Sequence, residues 1–90
     1  MDKKRLFATG LIVSTPAVVS EVSLDSIVAM LTRHQTGDWG EVDMDDWARN
    51  DEALVRGGRL LSAYTYEATK VWVITEADRS VTTFLLPEEY

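Results

Sequence analysis

The sequence predicts a small α+β domain in which helices pack on one face of a mostly antiparallel sheet of three or four strands. Two stretches before residue 57 have the apolar spacing of amphipathic helices. After residue 58 the pattern changes to the alternation of strands, interrupted by two short polar connections. A chain of 90 residues builds one hydrophobic core, so we predict a single domain over residues 1–90.

The first predicted element is a strand over Arg5–Val13, in which Gly10 indicates a bulge or a close backbone approach. Basic residues precede this apolar run, as in a signal peptide, but the run is short and no clear cleavage site follows it. Thr15 and Pro16 then predict a helix start, because a capping hydroxyl precedes a residue whose φ suits the first turn. One short turn of helix over Pro16–Glu21 follows.

A longer helix is predicted from Leu24 to His34 or Gln35, with Ser23 as its N-cap and Gly37 just past its end. The apolar residues at i, i+3, i+4 and i+7 are Leu24, Ile27, Val28 and Leu31. That spacing places them on one face of the helix, which we expect to pack on the sheet.

A further helix is predicted from its N-cap Asp43 to the stop at Gly57–Gly58, with Asp46 completing a start similar to a capping box. Its apolar stripe is thinner than that of the preceding helix. We expect this stripe to contain Met44, Trp47 and Leu54, with Asn50 or Asp51 on the same face.

Three strands are predicted after the glycines, over Arg59–Tyr66, Lys70–Ala77 and Val81–Leu86, because these runs are rich in β-branched and aromatic residues. Their connections are short enough for hairpins, which predicts an antiparallel meander. The element order is therefore β-α-α-β-β-β with an extra helical turn after the first strand. The position of that first strand in the sheet stays open.

The composition disfavours several classes of function. The chain has no cysteine, which excludes disulfides and thiolate metal sites and fits a reducing cytoplasm. No apolar run approaches the roughly 18 residues that a membrane span needs. The net charge of −6 disfavours direct binding of nucleic acid, which requires clustered Lys and Arg. We therefore expect a cytoplasmic protein without a cofactor, which binds neither membrane nor nucleic acid directly.

The segment from residue 38 to 52 is the strongest candidate for function, because it contains seven carboxylates, two tryptophans and one cation, Arg49. A dense negative field beside aromatic surface favours docking to a basic partner. Trp39 lies between glycines, so its indole either covers the core or contacts the partner. The predicted partner-binding residues are Asp38, Trp39, Glu41, Asp43, Asp45, Asp46 and Asp51.

Two groups of residues resemble catalytic sites, and each also has a structural explanation. His34 with Asp38 resembles an oriented general base, although no nucleophile accompanies it, and a histidine in the last helical turn also satisfies free carbonyls. Glu76, Asp78 and Arg79 resemble parts of a metal-dependent nuclease site, although all three residue types are common at turns.

The acidic segment also suggests a calcium site, because hard cations prefer several oxygen ligands. Counted from Asp43, the EF-hand pattern fails, since Ala48 and Leu54 stand where glycine and glutamate are needed. An irregular site is the remaining form of this hypothesis, with the ligands Asp38, Glu41, Asp43 and Asp45. No metal is assigned from this pattern.

Several sequence motifs in residues 33–90 are similar to those of a family of small uncharacterised bacterial proteins from plasmids and integrative elements. The motifs are Arg33–His34, Gly37–Asp38–Trp39–Gly40, Asn50–Asp51, Ser62–Ala63–Tyr64 and Ile74–Thr75–Glu76–Ala77–Asp78–Arg79–Ser80. The resemblance implies an accessory protein of a mobile genetic element, and small acidic proteins of that kind often counter host defences.

Three hypotheses follow. The first is a non-catalytic protein whose acidic segment masks the basic nucleic-acid-binding surface of a host defence complex, acting as an anti-restriction or anti-CRISPR protein. The second is a small metal-dependent hydrolase or nuclease. The third is a homodimeric structural module without catalysis.

Overall fold

A computed structural model describes residues 4–90 of the chain. Its elements are β1 (Leu11–Ser14), α1 (Pro16–Glu21), α2 (Leu24–Gln35), α3 (Met44–Arg56), β2 (Leu60–Tyr66), β3 (Thr69–Thr75), β4 (Val81–Leu85) and a final 3-10 turn (Pro87–Glu89). The strands form one mixed sheet in the order β1-β4-β3-β2. This architecture confirms the predicted α+β fold, including the short extra helix after the first strand.

The first strand is shorter than predicted, because β1 begins at Leu11 rather than at Arg5. The apolar residues before it pass over the helix layer instead of joining the sheet. The Leu6 N–H donates to the Gln35 carbonyl at 2.8 Å, and the Phe7 ring stacks 6.2 Å from the Trp39 ring. Period alone does not distinguish such a packed crossing segment from a strand.

β1 lies at the edge of the sheet and pairs in parallel with β4, which settles the position that the sequence left open. Gly10 allows this pairing, because it has φ +64° and a Cβ there would lie 2.2 Å from the Ser80 carbonyl oxygen. The Leu11 N–H donates to that same carbonyl at 3.0 Å. The predicted close backbone approach at Gly10 is therefore confirmed.

The first two helices begin at the predicted caps. The Thr15 hydroxyl accepts a hydrogen bond from the Val18 N–H at 3.4 Å, and the Ser23 hydroxyl accepts one from the Ser26 N–H at 3.2 Å. Each bond satisfies one of the free N–H groups at a helix start. Gly37, with φ +84°, follows the end of α2 as expected.

The face of α2 that packs on the sheet differs from the predicted one. Leu24 and Val28 are 73% and 55% exposed, whereas the buried stripe consists of Ile27, Met30, Leu31 and His34. That stripe also has the spacing i, i+3, i+4 and i+7. The prediction failed because it counted only apolar residues, and a histidine with polar partners in the sheet occupies the fourth position.

The third helix begins at the predicted N-cap, where the Asp43 carboxylate accepts from the Asp46 N–H at 2.8 Å. The Asp46 carboxylate forms an ion pair with Arg49 at 3.2 Å instead of completing a capping box. Met44 was expected on the packed face, but it is 89% exposed. The helix ends at Gly57 as predicted.

Asn50 occupies the buried face of α3 and fixes the helix to β2. Its side-chain amide donates to the Leu61 carbonyl at 2.7 Å, and its carbonyl oxygen accepts from the Leu61 N–H at 3.0 Å. Asn50 is only 4% exposed, so this pair of bonds replaces water for both residues. The sequence placed Asn50 on this face without indicating its partner.

β2, β3 and β4 form the predicted antiparallel meander. The turn between β2 and β3 consists of Glu67 and Ala68, both with positive φ, which is the geometry of a type I′ hairpin turn. Val71, Val73 and Thr75 of β3 face the helices and are fully buried. Among residues 4–90, no helix is long and apolar enough to cross a membrane.

Candidate functional site

His34 lies in the core, in contact with the sheet rather than with Asp38. Its side chain is fully buried, with Nδ1 2.5 Å from the Ser62 hydroxyl and Nε2 2.9 Å from the Thr75 hydroxyl. The Thr75 hydroxyl lies 2.6 Å from the Thr82 hydroxyl. These four side chains form one buried polar chain between α2 and three strands.

The last bond of this chain fixes the direction of the two bonds before it. The Thr82 hydroxyl donates to the Thr9 carbonyl at 2.8 Å, so Thr82 accepts its remaining bond from Thr75. Thr75 therefore accepts from the Nε2–H of His34. In the neutral imidazole, which burial favours, Nδ1 then accepts from the Ser62 hydroxyl.

Burial lowers the pKa of His34 from 6.5 to about 3, and the nearby charge of Arg79 lowers it further in the same direction. A histidine with this pKa remains neutral at physiological pH. Ser62 is fully buried as well, so the Ser62–His34 contact has no access to a substrate. The contact therefore has the geometry of a structural hydrogen bond in the core.

The carboxylate of Asp38 forms a two-pronged pair with Arg33, at 2.7 Å from Nε and 3.4 Å from Nη2. The guanidinium also lies over the Tyr64 ring, 4.5 Å from its centroid. The hydrogen bonds that Asp38 accepts from the guanidinium raise the pKa of Arg33 above its ordinary value. The predicted His34–Asp38 general base is therefore wrong, because each residue is committed to other groups.

The loop that contains Asp38 closes the outer edge of β2. Gly40 bridges to Ala63, whose N–H donates to the Trp39 carbonyl at 3.1 Å, while its carbonyl accepts from the Glu41 N–H at 2.7 Å. A Cβ on Gly40 would lie 2.1 Å from the Ala63 oxygen, so only glycine fits this approach. Covering the edge protects it from pairing with other chains.

Trp39 is a core residue in this fold and not a surface anchor. Its side chain is fully buried, and its ring lies 5.6 Å from His34 in an edge-to-face arrangement. The indole N–H donates to the Asp51 carboxylate at 3.0 Å. Of the two interpretations of Trp39, the lid over the core is correct, and its expected contact with a partner is corrected accordingly.

Four of the seven acids in residues 38–52 form ion pairs with cations: Asp38 with Arg33, Glu41 with Lys70, Asp46 with Arg49 and Glu52 with Arg56. These pairs are partly or largely exposed, so each contributes little to stability but reduces the local negative field. Asp43 and Asp51 accept hydrogen bonds without a cation. Within residues 4–90, Asp45 is exposed and makes no hydrogen bond or ion pair.

The outward side of α3 carries both charge and exposed apolar surface. Met44 is 89% exposed and Val55 is 85% exposed. With Ala48 and Asp51 between them, they follow the i, i+4, i+7, i+11 spacing of one helical stripe about 16 Å long. We define the outer face of α3 as this stripe together with the adjacent exposed acids: Met44, Ala48, Asp51, Val55, Asp43, Asp45 and Glu52.

The predicted partner-binding residues are thus partly brought together. Asp43, Asp45 and Asp46 lie at the start of α3, and Asp51 lies farther along the same helix. Asp38 and Glu41 lie in the loop that covers the edge of β2, and the Trp39 side chain is buried in the core. Met44 and Val55 were not predicted as contact residues. Met44 was assigned to the packed stripe, whereas Val55 lies outside that stripe, which is a signal in the sequence for an exposed apolar position.

Each of the three residues Glu76, Asp78 and Arg79 makes its own structural contacts. Glu76 pairs with Arg59 at 3.2 Å, and Asp78 accepts from the N–H and hydroxyl of Ser80. Arg79 donates to the backbone carbonyls of Gly58 and Ala53 at 2.6 and 3.1 Å. The arginine thereby joins the C-terminal end of α3 to the β3–β4 connection.

These contacts contradict the idea that Glu76, Asp78 and Arg79 converge on a substrate. Within the described part of the chain, no group of three or more acidic or histidine side chains is placed to hold a metal ion. The irregular cation site proposed for the acidic segment is likewise not assembled there.

Comparison with protein-family models, with curated proteins and with solved structures found no match.

Proposed function

We propose that this protein acts by binding a protein partner through the outer face of α3. The observation that carries the proposal is the coincidence on one side of α3 of exposed Met44 and Val55 with Asp43, Asp45 and Asp51, which form no ion pair within residues 4–90. Interfaces combine apolar contacts at the centre with charge at the rim, and methionine is enriched at their cores. A partner with a basic surface around an apolar depression fits this pattern.

The partner that we propose is a component of a host defence complex, such as a restriction or CRISPR effector, whose basic nucleic-acid-binding surface would be masked. The net charge of −6 supports this choice, because a negative protein competes with nucleic acid for the same cations. The resemblance of residues 33–90 to proteins of mobile elements provides the biological setting.

The proposal is tested by an affinity experiment with the protein immobilised and an extract of its native host, read by mass spectrometry. A variant with Asp43→Asn, Asp45→Asn and Asp46→Asn removes three charges from the start of α3. Asparagine is as good an N-cap as aspartate, so the helix start is preserved. We expect the partner captured by the original chain to be lost from this variant.

A matched control removes the same three charges elsewhere, through Glu21→Gln, Asp25→Asn and Glu88→Gln at exposed positions outside the outer face of α3. This control should retain the partner. A partner captured equally by both variants would contradict docking through α3. A second pair of substitutions, Met44→Ser and Val55→Ser, should weaken capture while leaving its salt dependence unchanged, because it removes only apolar contact.

A further inference from the structure

The side of the sheet opposite the helices is also apolar. Side chains alternate along each strand, and the paired registers place one set away from the helices. This open face includes Leu11, Val13, Leu61, Ala63, Trp72, Ile74, Val81, Thr83 and Leu85. Leu11 and Val13 are exposed, whereas Ala63, Ile74 and Leu85 in its centre are buried. Tyr90 covers the part between β3 and β2, since its ring meets the Trp72 ring at 5.5 Å and its hydroxyl accepts from Arg59 at 2.7 Å.

The two edges of the open face differ in shape. At the β1 edge, Leu11 is 68% exposed and Val13 is 36% exposed, so both side chains protrude into solvent. At the β2 edge a cavity of about 190 Å³ is lined by Arg59, Leu61, Trp72, Ile74 and Tyr90. One edge therefore presents apolar projections, and the other presents an apolar depression.

The registers place a projection and the cavity on the same row across the sheet. Val13 is paired with Thr83, Thr83 with Ile74, and Ile74 with Leu61. A twofold axis parallel to the strands exchanges the two edges, so β1 of a second copy would lie over β2 of the first. Such an interface repeats each contact twice and is complementary to itself.

The charges of the open face suit a second copy better than a basic partner. The Arg59–Glu76 pair borders the cavity and has no net charge. Residues 4–20, which include the projecting edge, contain no acid and two cations, Lys4 and Arg5. Two chains of net charge −6 repel each other through most of their surfaces, but not through a face without unpaired acids.

We propose that two copies of this chain pack through their open faces, with Leu11 and Val13 of each copy seated at the cavity of the other. The exposed apolar surface of this face is concentrated at Leu11, Val13 and the rim of the cavity. An interface limited to these groups lies below the standard size of stable interfaces, so a weak, concentration-dependent dimer follows. This face is separate from the outer face of α3.

Light scattering of the purified chain over a concentration series tests the proposal. The mass should rise with concentration from 10.1 kDa towards twice that value. Leu11→Ser should weaken dimerisation at least tenfold, because it removes the apolar side chain that enters the cavity in both copies. The matched control Leu24→Ser alters a similarly exposed leucine on α2 and should dimerise as the original chain does. A mass of one chain at every concentration, or an unchanged dimer in Leu11→Ser, would overturn the proposal.

Cross-linking distinguishes packing of the open faces from pairing of the β1 edges. The chain contains no cysteine, so Val13→Cys with Leu61→Cys introduces two unique thiols. Within one copy these thiols lie about 14 Å apart across the sheet, beyond the reach of a short bismaleimide. Cross-linked dimers should form with this variant and not with Val19→Cys plus Leu61→Cys. Their absence under conditions where light scattering detects a dimer would refute the arrangement.

Discussion

Lowering the pH from 7.5 to 5.0 should destabilise the folded chain through His34. The buried imidazole has its pKa lowered from 6.5 to about 3, chiefly by burial. Between these two values the unfolded chain binds a proton that the folded chain excludes. Stability is therefore complete above pH 6.5 and decreases as the pH falls towards 3.

The size of the effect follows from the two pKa values. At pH 5.0 the unfolded histidine is almost fully protonated, 1.5 units below its pKa of 6.5. Since one unit corresponds to about 1.36 kcal/mol, the free energy of unfolding should fall by about 2 kcal/mol relative to pH 7.5. Most carboxylates keep their charge above pH 5, so their contribution in this range is smaller.

Urea unfolding at pH 7.5, 6.0 and 5.0, followed by tryptophan fluorescence, measures this change. The matched variant is His34→Gln, whose amide oxygen accepts from Ser62 and whose N–H donates to Thr75 without titrating. The variant should lose the pH dependence of the original chain between pH 7.5 and 5.0. If the free energy of unfolding changes equally with pH in both proteins, the effect does not come from His34 and the assignment is refuted.

Two further stability predictions concern residues that hold the elements together. Asn50→Ala should lower the free energy of unfolding by about 3 kcal/mol, since it leaves the N–H and carbonyl of Leu61 without partners, as measured by urea unfolding. Gly10→Ala should lower the melting temperature more than Gly57→Ala does. Both glycines have positive φ, but only Gly10 has a carbonyl oxygen, that of Ser80, where the Cβ would lie. Equal melting temperatures for the two alanine variants would contradict the close approach of the backbone.

Local rules predicted the helix starts correctly, because a cap depends on residues close in sequence. Thr15, Ser23 and Asp43 each accept a hydrogen bond from an N–H three residues ahead. The hairpins could be predicted equally well, since short turns between alternating segments fix an antiparallel pair of strands. These features required no information about the rest of the fold.

The packed faces of the helices were harder to predict, because polar residues occupy buried positions. His34 and Asn50 lie in the core only because the sheet supplies their partners, which are separated from them by 11 to 41 residues in sequence. No periodic pattern contains that information. Leu24 and Met44 were expected on the packed faces because they are apolar and fit the helical spacing, but both side chains are exposed.

The acidic segment was recognisable from composition, but the sequence did not show which of its residues are buried or paired and which are exposed. Trp39 belongs to the core because residues on either side of it pair with β2, and Asp51 binds its indole. Ion pairing of Glu41 depends on Lys70, which is distant in sequence. The outer face of α3 became visible only when the helix was oriented on the sheet.

The most direct test of the proposed function is competition for nucleic acid at the captured partner. The partner is loaded with labelled nucleic acid, and release of the label is followed as this protein is added. The original chain should displace the label, and the Asp43→Asn, Asp45→Asn, Asp46→Asn variant should require at least tenfold more protein. Binding of the original chain to the partner without displacement of the nucleic acid would contradict masking of a basic surface.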